Sequence, residues 1–215
     1  MTILYSIAIT VCNEKEEIKT LLNYLFKFIN PQYEIIILFD EKNGNKATYE
    51  TLQYYEKKNL ITLQKAPFNH HFSDWKNLLT SFCKGKWILN LDADELPSFW
   101  LIKHLNKIVS IFFWADLIWI PRKNLVSGIT KKDITKWNWK TSHKQWINWP
   151  DYQGRLYKNS PLLKWKNKVH ESIHGAKKQI ILPKIAGYFI RINHYKSIEK
   201  QRKQNNFYSQ IETND

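Results

Sequence analysis

Cysteine, glycine, methionine and arginine are all scarce in this 215-residue chain. Its two cysteines, Cys12 and Cys83, make neither a disulfide framework nor a cysteine-rich zinc site, and they suit a reducing compartment. Six glycines and seven prolines are too few for a fibrous or low-complexity chain. No Gly-x-Gly or Gly-Lys-Ser/Thr element occurs, which removes the glycine-rich phosphate loop. No Gly-x-Ser-x-Gly elbow occurs, which leaves serine hydrolysis without support. Long apolar runs are missing too. The best, IVSIFFWADLIWIP, is broken by Asp116 and falls short of the ~18 residues of a transmembrane helix. The start, MTILYSIAITVCNE, has no basic n-region and no small-residue cleavage site, so it does not read as a signal peptide.

What is abundant is lysine and tryptophan. The 33 basic residues outnumber 19 acidic ones, for a formal charge of +14, and only Arg122, Arg155, Arg191 and Arg202 are arginine. Such a charge suits nucleic acid, an anionic membrane surface or an anionic substrate. Lysine-heavy usage beside many Ile and Asn is also what codon bias produces. Eight of the ten tryptophans fall between Trp100 and Trp165. Aromatic platforms serve sugars and bases, and they serve ordinary cores equally.

Along the chain, strands alternate with helices. Leu4–Val11 is a buried-strand run. Ile18, Leu21, Leu22, Leu25, Phe26 and Ile29 then follow the spacing of an amphipathic helix, with Asn13 as its cap and Glu16 completing a capping-box spacing. Tyr33–Phe39, Leu60–Leu63, Trp87–Leu91 and Leu117–Ile120 read as strands, the last stopped by Pro121. Ala47–Lys57, Ser73–Lys84 and Ser98–Val109 read as helices. Short strand-like pieces follow at Asp151–Tyr157, Lys164–Lys168 and Ile180–Ile192, and Ser197–Ile211 reads as a polar helix. The pattern predicts an α/β domain: a single, mostly parallel sheet flanked by helices, with a small C-terminal extension. We divide it into an α/β half, residues 1–121, and a second half, 122–215, of the same domain.

Ligands on such sheets sit beyond the carboxyl ends of the strands, and Asn13, Asp40 and Asp92 each fall there. The sharpest motif is WILNLDADELP. It delivers Asp92 and Asp94 to one sheet edge two residues apart, where paired carboxylates suit Mg²⁺ or Mn²⁺. A polar helix-entry loop is the plain alternative. Glu14, Glu16 and Glu17 would repel phosphate from the first helix start, so a diphosphate must meet a metal elsewhere. Among seven histidines, His170 stands beside Glu171 in KVHESIHG and pairs a neutral-pH ligand or base with a carboxylate.

On these residues the chain resembles the inverting family-2 glycosyltransferases of glycosyltransferase A fold. It resembles most the bacterial lipopolysaccharide-core β-glucosyltransferase subgroup. IAITVCNEKEEIKTLL, EIIILFDEKNGN, FSDWKNLLTSFCKGKWILNLDADE, IPRKN, WPDYQGRLYKN, KVHE and HYKSIEK follow the family's blocks in order. Lys76 stands where the family has Arg, and the usual Asp-Gly-Ser turn is replaced. The resemblance implies a nucleotide-diphosphate sugar donor, a divalent cation (Mn²⁺ or Mg²⁺) and in-line displacement with inversion. It implies that Thr10, Asn13, Glu14 and Asp40 hold the nucleoside, that Lys76 and Asn77 support the donor pocket, and that Asp92 contacts ribose or the metal shell. It implies metal ligation by Asp94, with His170 closing the shell, and a general base at Asp151 or, second, Glu171. The implied acceptor is a glycan or glycolipid, reached in the cytoplasm or at the inner face of an anionic membrane, with no nucleic-acid partner. A nucleotidyltransferase and a basic nucleic-acid-binding protein are the competing readings.

Overall fold

The computed structural model describes residues 3–142 and 144–213; His143, one of the seven histidines, lies outside the described residues. Its frame is a mixed sheet in the order β3-β2-β1-β4-β7-β6-β11-β5. The left half is parallel. In it, β1 (Tyr5–Val11) lies between β2 (Tyr33–Asp40) and β4 (Trp87–Asp92), with β3 (Thr62–Ala66) at the edge. The runs are continuously apolar because helices cover both faces.

On one face, α1 (Lys15–Leu25) buries Ile18, Leu21, Leu22 and Leu25, one stripe at helical spacing, and α2 (Lys46–Lys57) adds Leu52 and Tyr55. Truncating a fully buried residue such as Leu22 to Ala costs ~2–5 kcal/mol. The same core takes Leu101 and Ile102 from α4 (Phe99–Lys103) and Leu105 and Ile108 from α5 (Leu105–Ile111), after the short β5 (Glu95–Pro97). Sequence spacing predicts one helix here; the chain turns at His104, whose ring stacks on Trp100 at 5.2 Å. On the other face α3 (Phe72–Ser81) packs Trp75 and Leu79 with Trp165 and Ile173, which come from a small hairpin of β8 (Lys164–Lys166) and β9 (Ser172–His174).

The strand predicted to stop at Pro121 instead runs on as β6 (Leu117–Ser127). Its long antiparallel partner is β7 (Ile147–Lys158). On its other edge β10 (Gln179–Ile181) pairs with Leu117–Trp119, and β11 (Ile192–Ser197) begins pairing at Arg122. Pro121 falls in the gap between them, where no neighbouring strand needs its missing N–H. The 121/122 division therefore lies inside one strand of the shared sheet. A short helix, α6 (Lys131–Lys136), joins β6 to β7, and α7 (Ile198–Thr213) closes the described chain. The third strand lies two residues later than its apolar pattern suggested, because as an edge strand it buries only Leu63.

Candidate active site

The parallel register sets Thr10 beside Asp92, and Thr10 Oγ1 donates to Asp92 Oδ1 at 3.3 Å. Lys76 reaches the same oxygen from α3, with Nζ 3.4 Å away, and lies 2.6 Å from Glu171 Oε1. Its ammonium is also 4.7 Å from the Trp165 ring centroid, and its side chain is only 3% exposed. The other Asp92 oxygen, Oδ2, accepts from Arg155 Nη2 at 2.6 Å. Burial opposes the charge on Asp92, but Arg155 and Lys76 together hold its carboxyl well below the usual range. Arg155 also donates to Asn90 at 2.9 Å and to Glu95 at 2.9 Å. Glu95 is fully buried. Its Oε1 takes Arg122 as well, at 3.0 Å, and its Oε2 accepts the Asp92 amide. Carboxylates and cations thus alternate across the sheet edge, so that no buried charge stands alone.

Asp94 turns to the opposite wall. Its Oδ2 lies 3.5 Å from His194 Nε2 and 3.5 Å from Lys196 Nζ, both on β11. Burial opposes ionisation here too, but His194 and Lys196 bring its carboxyl down to about 2. His194 Nδ1 is 2.8 Å from Asn124 Oδ1, and the Asn124 amide nitrogen donates to Asp151. With Nδ1 engaged by Asn124, the other ring nitrogen, Nε2, is the one that faces Asp94.

Asp151 is held on every side. Its Oδ2 accepts from Arg122 Nε at 2.8 Å and from Asn124 at 2.8 Å, and its Oδ1 from Gln153 at 2.7 Å. Burial would raise the carboxyl, but Arg122 and the two amides more than offset it and keep it below its ordinary range.

Two clefts open on these groups. The first, about 590 Å³, is lined by Thr10, Asn13, Glu14, Asp40, Lys76, Asp92, Asp94 and Glu171, with Lys200 and Lys203 of α7 on the rim. The second, about 640 Å³, is lined by Arg122, Asp151, Arg155, His170 and His194 beside Trp137 and Trp139. Asp92, Glu171, Lys196, Gln204 and Tyr208 line both. Lys196 donates to Gln204 at 2.7 Å and Gln204 to Tyr208 at 2.7 Å, so α7 is tied across the divide. The charges of Glu171 and Asp92, on top of burial, push the Tyr208 hydroxyl up and keep it protonated.

Several expected residues have other local work. Asn13 does not cap α1. Its amide nitrogen donates to the Asn43 carbonyl at 3.1 Å and its carbonyl accepts the Asn45 amide at 2.7 Å, linking the first loop to the second. The N-cap position is Glu14, whose carboxylate turns back to accept the Cys12 and Asn13 amides at 2.8 and 2.9 Å. Asp40 organises its turn through the Lys42, Asn43 and Phe68 amides at 3.0, 3.1 and 3.2 Å. Beside it, burial and the Asp40 charge push the Cys12 thiol up to about 12. Asn77 lies outside both clefts and clamps the Trp165 backbone through both its amide atoms at 3.0 Å. His170 is exposed and lines the second cleft, with its ring 5.6 Å from that of Tyr208.

Arg122, Arg155, His194 and Lys196 were not singled out from sequence. A signal existed for two of them: in a chain that uses lysine almost throughout, surviving arginines mark places where a planar, multidentate cation is required.

Asp94 and His194 are a pair that could hold a divalent cation: a carboxylate oxygen and an imidazole nitrogen stand 3.5 Å apart at the cleft, where Lys196 Nζ, 3.5 Å from the same oxygen, would have to give way. Among the described residues no group of three or more His, Cys, Asp or Glu converges, so further ligands would come from a diphosphate and water.

The first 349 residues of Staphylococcus aureus TarS, solved in complex with UDP, are similar at 14% identity and a TM-score of 0.60, over 89% of this chain and 60% of that one. The same segment in complex with UDP-GlcNAc is similar at 15% identity and a TM-score of 0.60, over 90% and 58%. At that identity the likeness concerns the fold, and this chain spans about 60% of the TarS segment's length. Among curated protein sequences none matches. The profile described as glycosyl transferase family 2 matches residues 6–160, which hold all of β1 but Tyr5, and α3, the Asp92–Asp94 edge and Arg155. The chain belongs to glycosyl transferase family 2.

Proposed function

We propose that the protein transfers a sugar from a nucleotide-diphosphate donor, uridine-linked, to a hydroxyl of a glycan or lipid-linked glycan, with inversion. The observation that carries this is the junction of the two clefts. Glu171 belongs to both, with Asp94 on the first side and the tryptophan-walled cleft on the second. A donor in the first cleft and an acceptor in the second would meet at Glu171. The first half of the chain is then the donor side and the second the acceptor side. UDP and UDP-GlcNAc are what the TarS structures hold, which supports a uridine donor. A lipopolysaccharide-core type of acceptor rests on the sequence resemblance.

In this reading Glu171 is the general base. Asp151 has both oxygens engaged and its proton affinity lowered, so it is a poor proton acceptor; it positions Arg122 and Asn124 instead. Glu171 Oε1 pairs with Lys76 at 2.6 Å, and its carboxylate lines both clefts. Attack by the acceptor oxygen on C1 forms the new glycosidic bond and breaks the bond to the diphosphate, while the acceptor proton passes to Glu171. Lys196, Lys200 and Lys203 line the first cleft and would offset the charge of the departing diphosphate. Asp94 and His194 would hold a divalent cation, which when bound supplies Lewis-acid stabilisation to that leaving group. His170 would belong to the acceptor side. The protein would work as a peripheral partner of an anionic membrane at its cytoplasmic face; among the described residues no helix is long and apolar enough to cross one.

Calorimetric titration of uridine diphosphate with and without Mn²⁺, followed by hydrolysis of a nucleotide-sugar panel, tests the reading. Metal-assisted nucleotide binding and release of free sugar from one donor are expected. Salt-dependent polymer binding without nucleotide binding would favour a nucleic-acid role instead.

A further inference from the structure

Eight of the thirteen exposed large apolar side chains among the described residues fall in two segments, 98–115 and 176–191. Phe113, Ile185 and Phe189 are 70, 75 and 59% exposed, and Phe99, Trp100 and Trp114 are also open. The segments are strapped together at both ends. The Ser98 hydroxyl donates to the Phe189 carbonyl at 2.6 Å, and its amide to the Arg191 carbonyl at 2.8 Å. At the far end the Asp116 carboxylate accepts the Lys177 and Lys178 amides, both at 3.1 Å.

Neither segment contains an Asp or Glu, yet they carry Lys103, Lys107, Lys177, Lys178, Lys184 and Arg191. Next to Phe189, Tyr188 packs on Trp146, and three cations converge on that one indole: Lys123 at 5.0 Å, Lys144 at 5.5 Å and Arg191 at 5.9 Å. Burial and the charges of Arg191 and Lys144 push the Lys123 ammonium below its ordinary range. Among the described residues no carboxylate pairs with these three cations, so positive charge accumulates around the buried Trp146 ring beside the strap. None of these residues lines either cleft.

We infer that this face, made by α4, α5, the 112–114 loop and the 176–191 strap, docks on an anionic phospholipid surface. The inference deepens the peripheral membrane contact proposed above by assigning it to named residues. Exposed aromatics enter the headgroup boundary, where amphipathic rings are favoured, while flanking lysines meet lipid phosphates. A second copy of the chain is a poor occupant, because a two-fold contact would set this lysine-rich face, whose bordering Asp116 is already bonded to the strap, against itself.

Co-sedimentation with phosphatidylcholine vesicles, with and without phosphatidylserine, decides it and needs neither donor nor acceptor. Wild type should sediment only with the anionic vesicles. Lys103→Gln with Lys107→Gln, and separately Phe113→Ser with Phe189→Ser, should each weaken partitioning about tenfold. Lys57→Gln with Lys58→Gln, the same charge change on α2, should stay within about twofold, and uridine diphosphate binding should be unchanged in all three. Equal loss in the α2 control, equal binding to neutral vesicles, or dimerisation or DNA retention in place of vesicle binding would overturn the assignment.

Discussion

Lys76 Nζ lies 2.6 Å from Glu171 and 3.4 Å from Asp92, so one buried ammonium holds a strand-end carboxylate and a loop carboxylate together across the site. The ammonium fixes where the Glu171 carboxylate stands between the clefts.

Removing that ammonium should therefore hurt stability as well as turnover. Lys76→Met leaves two carboxylates facing each other and should cost ~3–5 kcal/mol in urea unfolding. Lys76→Arg, the residue the family resemblance leads one to expect, should fold and retain most activity. A Lys76→Met protein within about 0.5 kcal/mol of wild type would mean that the pair carries no net weight.

The proposed cation site at Asp94 and His194 separates two histidines. His194→Ala should raise the Mn²⁺ concentration needed for half-maximal uridine diphosphate binding about tenfold or more, and Asp94→Asn should abolish metal-dependent turnover with far-UV circular dichroism unchanged. His170→Ala should leave the Mn²⁺ requirement alone. If His170→Ala shifts it and His194→Ala does not, the ligand assignment is reversed.

The Asp151 clamp has a pH signature. Its folded carboxyl sits below the ordinary range because Arg122, Asn124 and Gln153 outweigh burial. A carboxylate with a depressed folded pKa contributes stability that is fully present above its unfolded value, ~3.9, and is lost as pH falls through the folded value. Asp151→Asn should thus be less stable than wild type by a constant margin from pH 7 to 5, and the margin should shrink below pH ~4. A margin that vanishes already at pH 5.5, or persists undiminished to pH 2.5, contradicts the clamp.

Much of this arrangement is readable from the residues alone, for physical reasons. Continuous apolar runs closing on Asn13, Asp40 and Asp92 announce buried parallel strands and the edge where ligands collect. The periodicity of Ile18 to Leu25 announces α1. What the residues hide is tertiary. Pro121 reads as a stop until the gap between β10 and β11 is known. Asn13 reads as a helix cap until Asn45 is found across the loop. Asp151 reads as an open base until Arg122, from a different strand, is seen against it. His194 lies a hundred residues from Asp94 and meets it only because β11 runs antiparallel to β5, pairing His194 with Glu95. No local pattern encodes such a contact.

In the proposed reaction Glu171, not Asp151, takes the acceptor proton at the meeting of the two clefts. Donor turnover by Glu171→Gln and Asp151→Asn, beside calorimetric titration of uridine diphosphate into each, tests this directly. Glu171→Gln should bind the nucleotide within about twofold of wild type and lose ~10²–10⁴ in turnover, while Asp151→Asn should keep measurable turnover at a reduced level. Wild-type turnover by Glu171→Gln, with Asp151→Asn inactive and still binding nucleotide, would contradict it.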